Sequence, residues 1–137
     1  MANYEEKCEC CGHIKVLYQH KLNKPMVSAL AQLYKKNKPA NLQKELNLTK
    51  NQYNNFQKIQ HMGLVEGMGS SSMWRITDKG VKFITGRISV CSSGFSFGGE
   101  TIPHDHELVK KAGYKYTFVY VEKIVKEDYQ KLVDYIN

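Results

Sequence analysis

Arginine is scarce in this sequence, long apolar runs are absent, and no acidic side chain falls between Glu45 and Glu66. Arg75 and Arg87 are the only arginines. Beside abundant lysine and asparagine, that scarcity reflects an AT-rich coding sequence and assigns no mechanism. No apolar stretch approaches the roughly 20 residues that a membrane-spanning helix needs. The start, residues 1–6, is polar and acidic and lacks the cationic and apolar regions of a secretory signal. A cytoplasmic protein without a membrane partner is therefore expected, with its four cysteines free or metal-bound rather than paired as disulfides. Internal repeats and low-complexity linkers are missing. So are the phosphate-loop and dinucleotide motifs. Residues 94–98 have the outline Gly-x-Ser-x-Gly, but the remaining segments cannot supply the long parallel sheet a nucleophile elbow requires. No enzyme is expected.

The charge that is present is one-sided. Residues 1–86 carry 13 basic and 6 acidic side chains, whereas residues 87–137 carry 7 of each. The net charge of +7 thus sits wholly in the first part of the chain. Such a balance suits a polyanion partner, because neutralised phosphates release condensed counterions. It equally describes a protein with many solvated lysines.

Three segments follow from the residue pattern: a Cys-rich leader at 1–24, a helical domain at 25–86 and a β-rich tail at 87–137. Pro25 suits the first turn of a helix, and Met26, Val27, Leu30, Leu33 and Tyr34 form a helical stripe. Lys35, Lys36 and Lys38 close it at the end that favours cations. Pro39 and Ala40 open a second, short helix with Leu42 and Leu46 inward. Thr49 and Gln52 have capping-box spacing before a third helix over 50–62, with Tyr53, Phe56, Ile59 and Met62 inward and Gly63 at its end. Residues 64–66 and 73–76 read as strands around a glycine- and serine-rich turn. Thr77 then caps a helix that ends by Gly86. In the tail, residues 87–91 and 114–121 read as strands, 95–97 and 101–102 as a hairpin about Gly98-Gly99. A final helix is expected over 126–136, with Tyr129, Leu132, Val133 and Ile136 on one face.

This order resembles the winged helix-turn-helix superfamily. Leu42-Gln43-Lys44-Glu45-Leu46 with Leu48-Thr49 resembles its turn into the recognition helix. Met62-Gly63-Leu64-Val65-Glu66 and Trp74-Arg75-Ile76-Thr77-Asp78-Lys79-Gly80 resemble the two sides of its wing. The resemblance covers about 60 residues. The whole chain is also similar to small winged-helix proteins of phages and prophages with an N-terminal Cys-x-x-Cys-Gly, a Lys-Leu-Asn entry to the first helix and a short β-rich tail. The fold class is then α+β: three helices plus a hairpin wing, with a small β-rich extension ending in a helix.

The resemblance implies a duplex-DNA-binding regulator, acting in the host cytoplasm if phage-encoded, with its third helix in the major groove. Lys50, Asn51, Gln52, Asn54, Asn55 and Lys58 would face DNA, since amides pair with adenine edges and lysine suits phosphate or guanine. Arg75 and Lys79, near the wing, would reach the backbone or the minor groove. A homodimer through the neutral aromatic tail would suit palindromic sites. The competing reading is a protein-interaction module that binds and inhibits a host protein, because the fold alone does not settle function.

Cys8 and Cys11 have zinc-knuckle spacing. A structural Zn2+ there needs two more ligands, from Cys91, His104 and His106 or locally from Cys10, His13 and His20. Against this stand a buried hydrophobe for Cys91, plain loop residues for His104 and His106, a cap or surface role for His61, and free thiols for Cys8, Cys10 and Cys11.

Overall fold

The computed structural model describes residues 4–7, 14–69 and 73–137. They form a mixed α+β structure with small antiparallel sheets around two apolar cores.

The larger core is helical. Helix α1, Lys24–Lys36, starts where the Asn23 side chain accepts from the Met26 N–H at 3.1 Å, with Pro25 in the first turn. It stops at Asn37, which takes the left-handed conformation (φ 52°). Its Met26, Val27, Leu30 and Leu33 are buried. Helix α2, Lys50–Asn55, continues as a tighter 3-10 segment, Phe56–Met62, to the left-handed Gly63. Phe56, Ile59 and Met62 enter the same core. Strands β4, Val65–Gly67, and β5, Met73–Ile76, pair antiparallel and lead into helix α3, Asp78–Ile84. Thr77 ties this corner: its side chain accepts from the Gly80 N–H at 3.0 Å and donates to the Gly63 carbonyl at 2.6 Å.

The expected second helix differs. Ala40–Asn41 is extended as strand β3 and pairs with β5, giving the order β3-β5-β4. What remains is a single turn. Asn41 Oδ1 accepts from the Gln43 and Lys44 N–H groups at 2.9 and 3.1 Å, and Glu45 Oε2 accepts from the Asn41 N–H at 2.6 Å. Asn41 thus ends the strand and caps the turn at once. Leu42 and Leu46 still reach the core.

The leader does not stand apart. Strands β1, Tyr4–Lys7, and β2, Ile14–Lys21, form a hairpin. The eight-residue β2 also pairs with β7, Ser93–Phe97, which continues through Gly98-Gly99 into β8, Glu100–Ile102. Residues of the expected leader and tail therefore share one sheet, in the order β1-β2-β7-β8. It covers the smaller core of Leu17, Cys91, Phe95, Val109 and Tyr114, with helix α4, Glu107–Ala112, which supplies Val109.

Two expected strands are shorter than their composition suggests. Only Val90–Cys91 (β6) and Phe118–Val119 (β9) are paired, and with each other. Val121 already begins helix α5, Val121–Val125, and is buried in the larger core. The final helix is broken at Lys126 (φ 49°), so that α6 covers Tyr129–Ile136. Leu132 is buried and Tyr129 and Ile136 pack beside it, whereas Val133 of the expected stripe is not among the residues packed on this core. Lys24 of α1 reaches Glu127 and Asp128 ahead of α6, at 3.1 Å each. No helix among the described residues is long and apolar enough to cross a membrane.

Candidate nucleic-acid interface

The helix over residues 50–62 is built from a sequence with no acidic residue and a strong start. Thr49 Oγ1 accepts from the Gln52 N–H at 3.1 Å while Gln52 Oε1 accepts from the Thr49 N–H at 2.9 Å, both halves of a capping box. The buried residues Phe56, Ile59 and Met62 fix which side faces inward. On the opposite side Lys50, Asn51, Asn54 and Gln57 are exposed. Spacings of three and four residues place them on one face. Asn55 Nδ2 donates to the Asn51 carbonyl at 2.8 Å and meets Asn51 Oδ1, which steadies the Asn51 amide.

The other residues expected at DNA are engaged within the protein. Gln52, besides its cap, donates from Nε2 to the Pro25 carbonyl at 3.1 Å. Asn55 is half-buried and bonded back to Asn51. Lys58 is half-buried and near enough to His20 to disfavour protonation of that ring. Arg75 is exposed and pairs with Glu66 across the β4–β5 ladder. Lys79 lies over Gly63, its Cδ and Nζ 3.5 and 3.6 Å from where a Cβ on that glycine would stand. The structure thus gathers Lys50, Asn51 and Asn54 on one exposed face and turns Gln52, Lys58 and Lys79 elsewhere. Residues 70–72 of the wing tip lie outside the described residues.

The far end of the same helix is sealed by the β1-β2-β7-β8 sheet. The His20 and His61 rings stack with centroids 4.7 Å apart and planes 18° apart. His20 Nε2 hydrogen-bonds with the Ser96 hydroxyl at 2.8 Å, and His61 Nδ1 with the Thr101 hydroxyl at 2.6 Å. Burial is the main cause that lowers the His20 pKa to about 4, with His61 and Lys58 adding to it; burial lowers that of His61 too. Sequence reasoning missed this seam. Its only local signal is the β-branched and aromatic content of residues 14–21.

Ser96 and His20 have the separation of a nucleophile and its base. Ser96, however, is buried in a strand paired on both sides. A ring whose pKa is near 4 also accepts a proton poorly at neutral pH. The pair reads as a partly buried structural hydrogen bond.

Of the expected metal ligands, Cys91, His104, His106 and His20 fall among the described residues. Cys8 and Cys11, with Cys10 and His13, lie outside the described residues. Cys91 is a buried free thiol whose pKa burial pushes up. Its neighbour Ser93 pairs with Lys21, so it lies at the end of β2 away from Ile14, about 23 Å along the strand. His106 caps α4, its Nδ1 accepting from the Leu108 N–H at 3.1 Å. His104 sits edge-on to Tyr116 and Phe118, with centroids at 5.1 Å from each. Among the described residues, no three His, Cys, Asp or Glu side chains converge on a metal position. Cys91 and His104 do share one cavity, together with His61 and Lys79.

No protein-family model, no curated protein and no solved structure matches this chain.

Proposed function

We propose that this chain is a sequence-preferring duplex-DNA-binding protein of the winged helix-turn-helix kind, a transcriptional regulator of phage or prophage type. One observation carries the reading. A capped helix, free of acidic residues, turns Lys50, Asn51 and Asn54 to solvent beside the β4–β5 hairpin. Amides at that position suit adenine edges in the major groove, and a lysine suits phosphate or guanine. The order helix, strand, turn, helix, hairpin, helix supports it, because the extended β3 closes the wing as a third strand. A homodimer and a zinc ion on Cys8 and Cys11 stay part of the proposal. Metal analysis of the purified chain decides the second: about one zinc per chain supports it, and none removes it.

Sequence preference is tested by anisotropy with a panel of AT-rich duplexes. Asn51→Ala and Asn54→Ala should flatten the differences between duplexes, whereas Lys50→Ala should weaken all of them alike. A panel bound equally by wild type and both asparagine variants would refute base reading by this helix.

A second reading rests on a different surface. Phe118 and Tyr120 are each 54% exposed at the short strand β9, with Tyr116 beside them. Exposed aromatic residues so close together suit a protein interface. If the chain binds no duplex, this face becomes the site of a host-protein partner, and Phe118→Ala should abolish that complex after nuclease treatment.

A further inference from the structure

The cavity of about 360 Å³ between the end of the α2 segment, the start of α3 and strands β6 to β8 has a consistent chemistry. Such a volume suits a small molecule, and seams between structural units are where such sites occur. Met62, Cys91 and Phe95 line it and are buried. Ile102 and Pro103 add an apolar side. Lys79 is exposed and stands at its rim. Gln60, His61, Ser93, Thr101 and His104 supply uncharged polar groups. Among the described residues that line it none is acidic. One cation at the mouth, buried apolar residues and no competing carboxylate define an amphipathic anion: a negative head at Lys79 and a hydrocarbon body inward.

We propose that this cavity binds a small monocarboxylate with an apolar body, its carboxylate paired with Lys79. Gln60, His61, Met62 and Gly63, on one wall, end the helix that begins with Lys50 and Asn51. Thr101, Ile102 and Pro103, which also line it, belong to the sheet or its exit, and the Thr101 hydroxyl is hydrogen-bonded to His61. An occupant therefore touches both halves of the molecule and biases how the helix is held. Under the DNA-binding reading it is an effector; its binding does not depend on that reading.

The test uses the full chain and hexanoate as probe, with inorganic phosphate as a control at matched ionic strength. Calorimetry gives the affinity, and the ring protons of His61 and His104 report position by NMR. Saturable hexanoate binding that shifts both rings is expected. The surface variant Lys79→Gln should weaken it at least tenfold, and Ile102→Trp should fill the cavity and abolish it. Circular dichroism confirms that the variants fold, and Lys79→Gln alone suffices where the tryptophan does not. No saturable binding, or equal binding by Lys79→Gln, overturns the proposal. Phosphate binding as tightly as hexanoate overturns the assignment of an apolar body. Duplex affinity is then measured with and without hexanoate. A change identifies an effector of DNA binding. No duplex binding at all, with hexanoate still bound, sinks the DNA reading and leaves the cavity assigned.

Discussion

The His20 and His61 rings stack 4.7 Å apart and join strand β2 to the end of the helix whose start carries Lys50, Asn51 and Asn54. Ser96 holds one ring and Thr101 the other, so the sheet and the helix meet through two hydroxyl–imidazole bonds.

Acid should loosen this seam. In the folded chain the His20 pKa is lowered from 6.5 to about 4, and that of His61 is lowered as well. Between those limits the unfolded chain binds protons that the folded chain refuses. The stability these rings contribute is complete above pH 6.5 and is lost as pH falls toward 4. Because the rings are only half-buried, the loss from His20 should be of order 1–2 kcal/mol. Urea unfolding at pH 7.5 and pH 4.5 measures it. His20→Gln should shrink the difference between the two pH values, and an unchanged difference would assign the titration to other groups.

Gly94 lies where the sheet touches the helix most closely. A Cβ there would stand 2.8 Å from the His61 carbonyl carbon and 2.9 Å from its Cβ. Gly94→Val should therefore push the sheet from the helix and destabilise the chain by about 1–3 kcal/mol. Loss of the ring-stacking shifts of His20 and His61 by NMR would accompany it. A variant as stable as wild type would show that the seam is looser than described.

Much of the helical part is legible in the sequence because its signals act within a few residues. Pro25 starts α1, Thr49 with Gln52 starts α2, Gly63 ends its continuation, and Thr77 starts α3. The second sheet is a different case. Gln19 meets Ser93 across 74 positions, and His20 meets Ser96 across 76. No period or turn residue announces a partner at that distance. The tail misleads for a related reason. Residues 114–121 have strand composition, yet Tyr114 and Val121 are anchored in two different cores, so the segment between them pairs only at Phe118–Val119. Within the site, the face of Lys50, Asn51 and Asn54 follows from helical spacing. That Gln52 turns to the Pro25 carbonyl and Lys79 lies over Gly63 depends on neighbours that spacing does not reveal.

The cap at Thr49 holds the candidate interface in place. Thr49→Ala removes the oxygen that accepts the Gln52 N–H and should cost about 1 kcal/mol. Thr49→Asp should keep most of the stability, because aspartate accepts the same bond. Denaturation midpoints of the two variants compare them. Equal losses would mean that the side-chain oxygen is not what matters.

Phe56 links the helix to the wing. It is buried and packs edge-on against Trp74 of β5, with centroids 5.7 Å apart. Phe56→Ala should cost about 3–5 kcal/mol. The fluorescence of Trp74, the one tryptophan, should change in the folded state as its ring neighbour is lost. A loss below about 1 kcal/mol would show that this part of the core collapses around the gap.

Duplex-DNA affinity across a salt series, for wild type and for Lys50→Ala/Asn51→Ala/Asn54→Ala, decides whether this helix binds DNA. Wild-type binding should weaken steeply with salt, the triple variant should bind at least tenfold more weakly, and the unfolding midpoint of that exposed-face variant should be unchanged. Absence of wild-type binding at low salt, or a folded triple variant that binds as tightly as wild type, would contradict it.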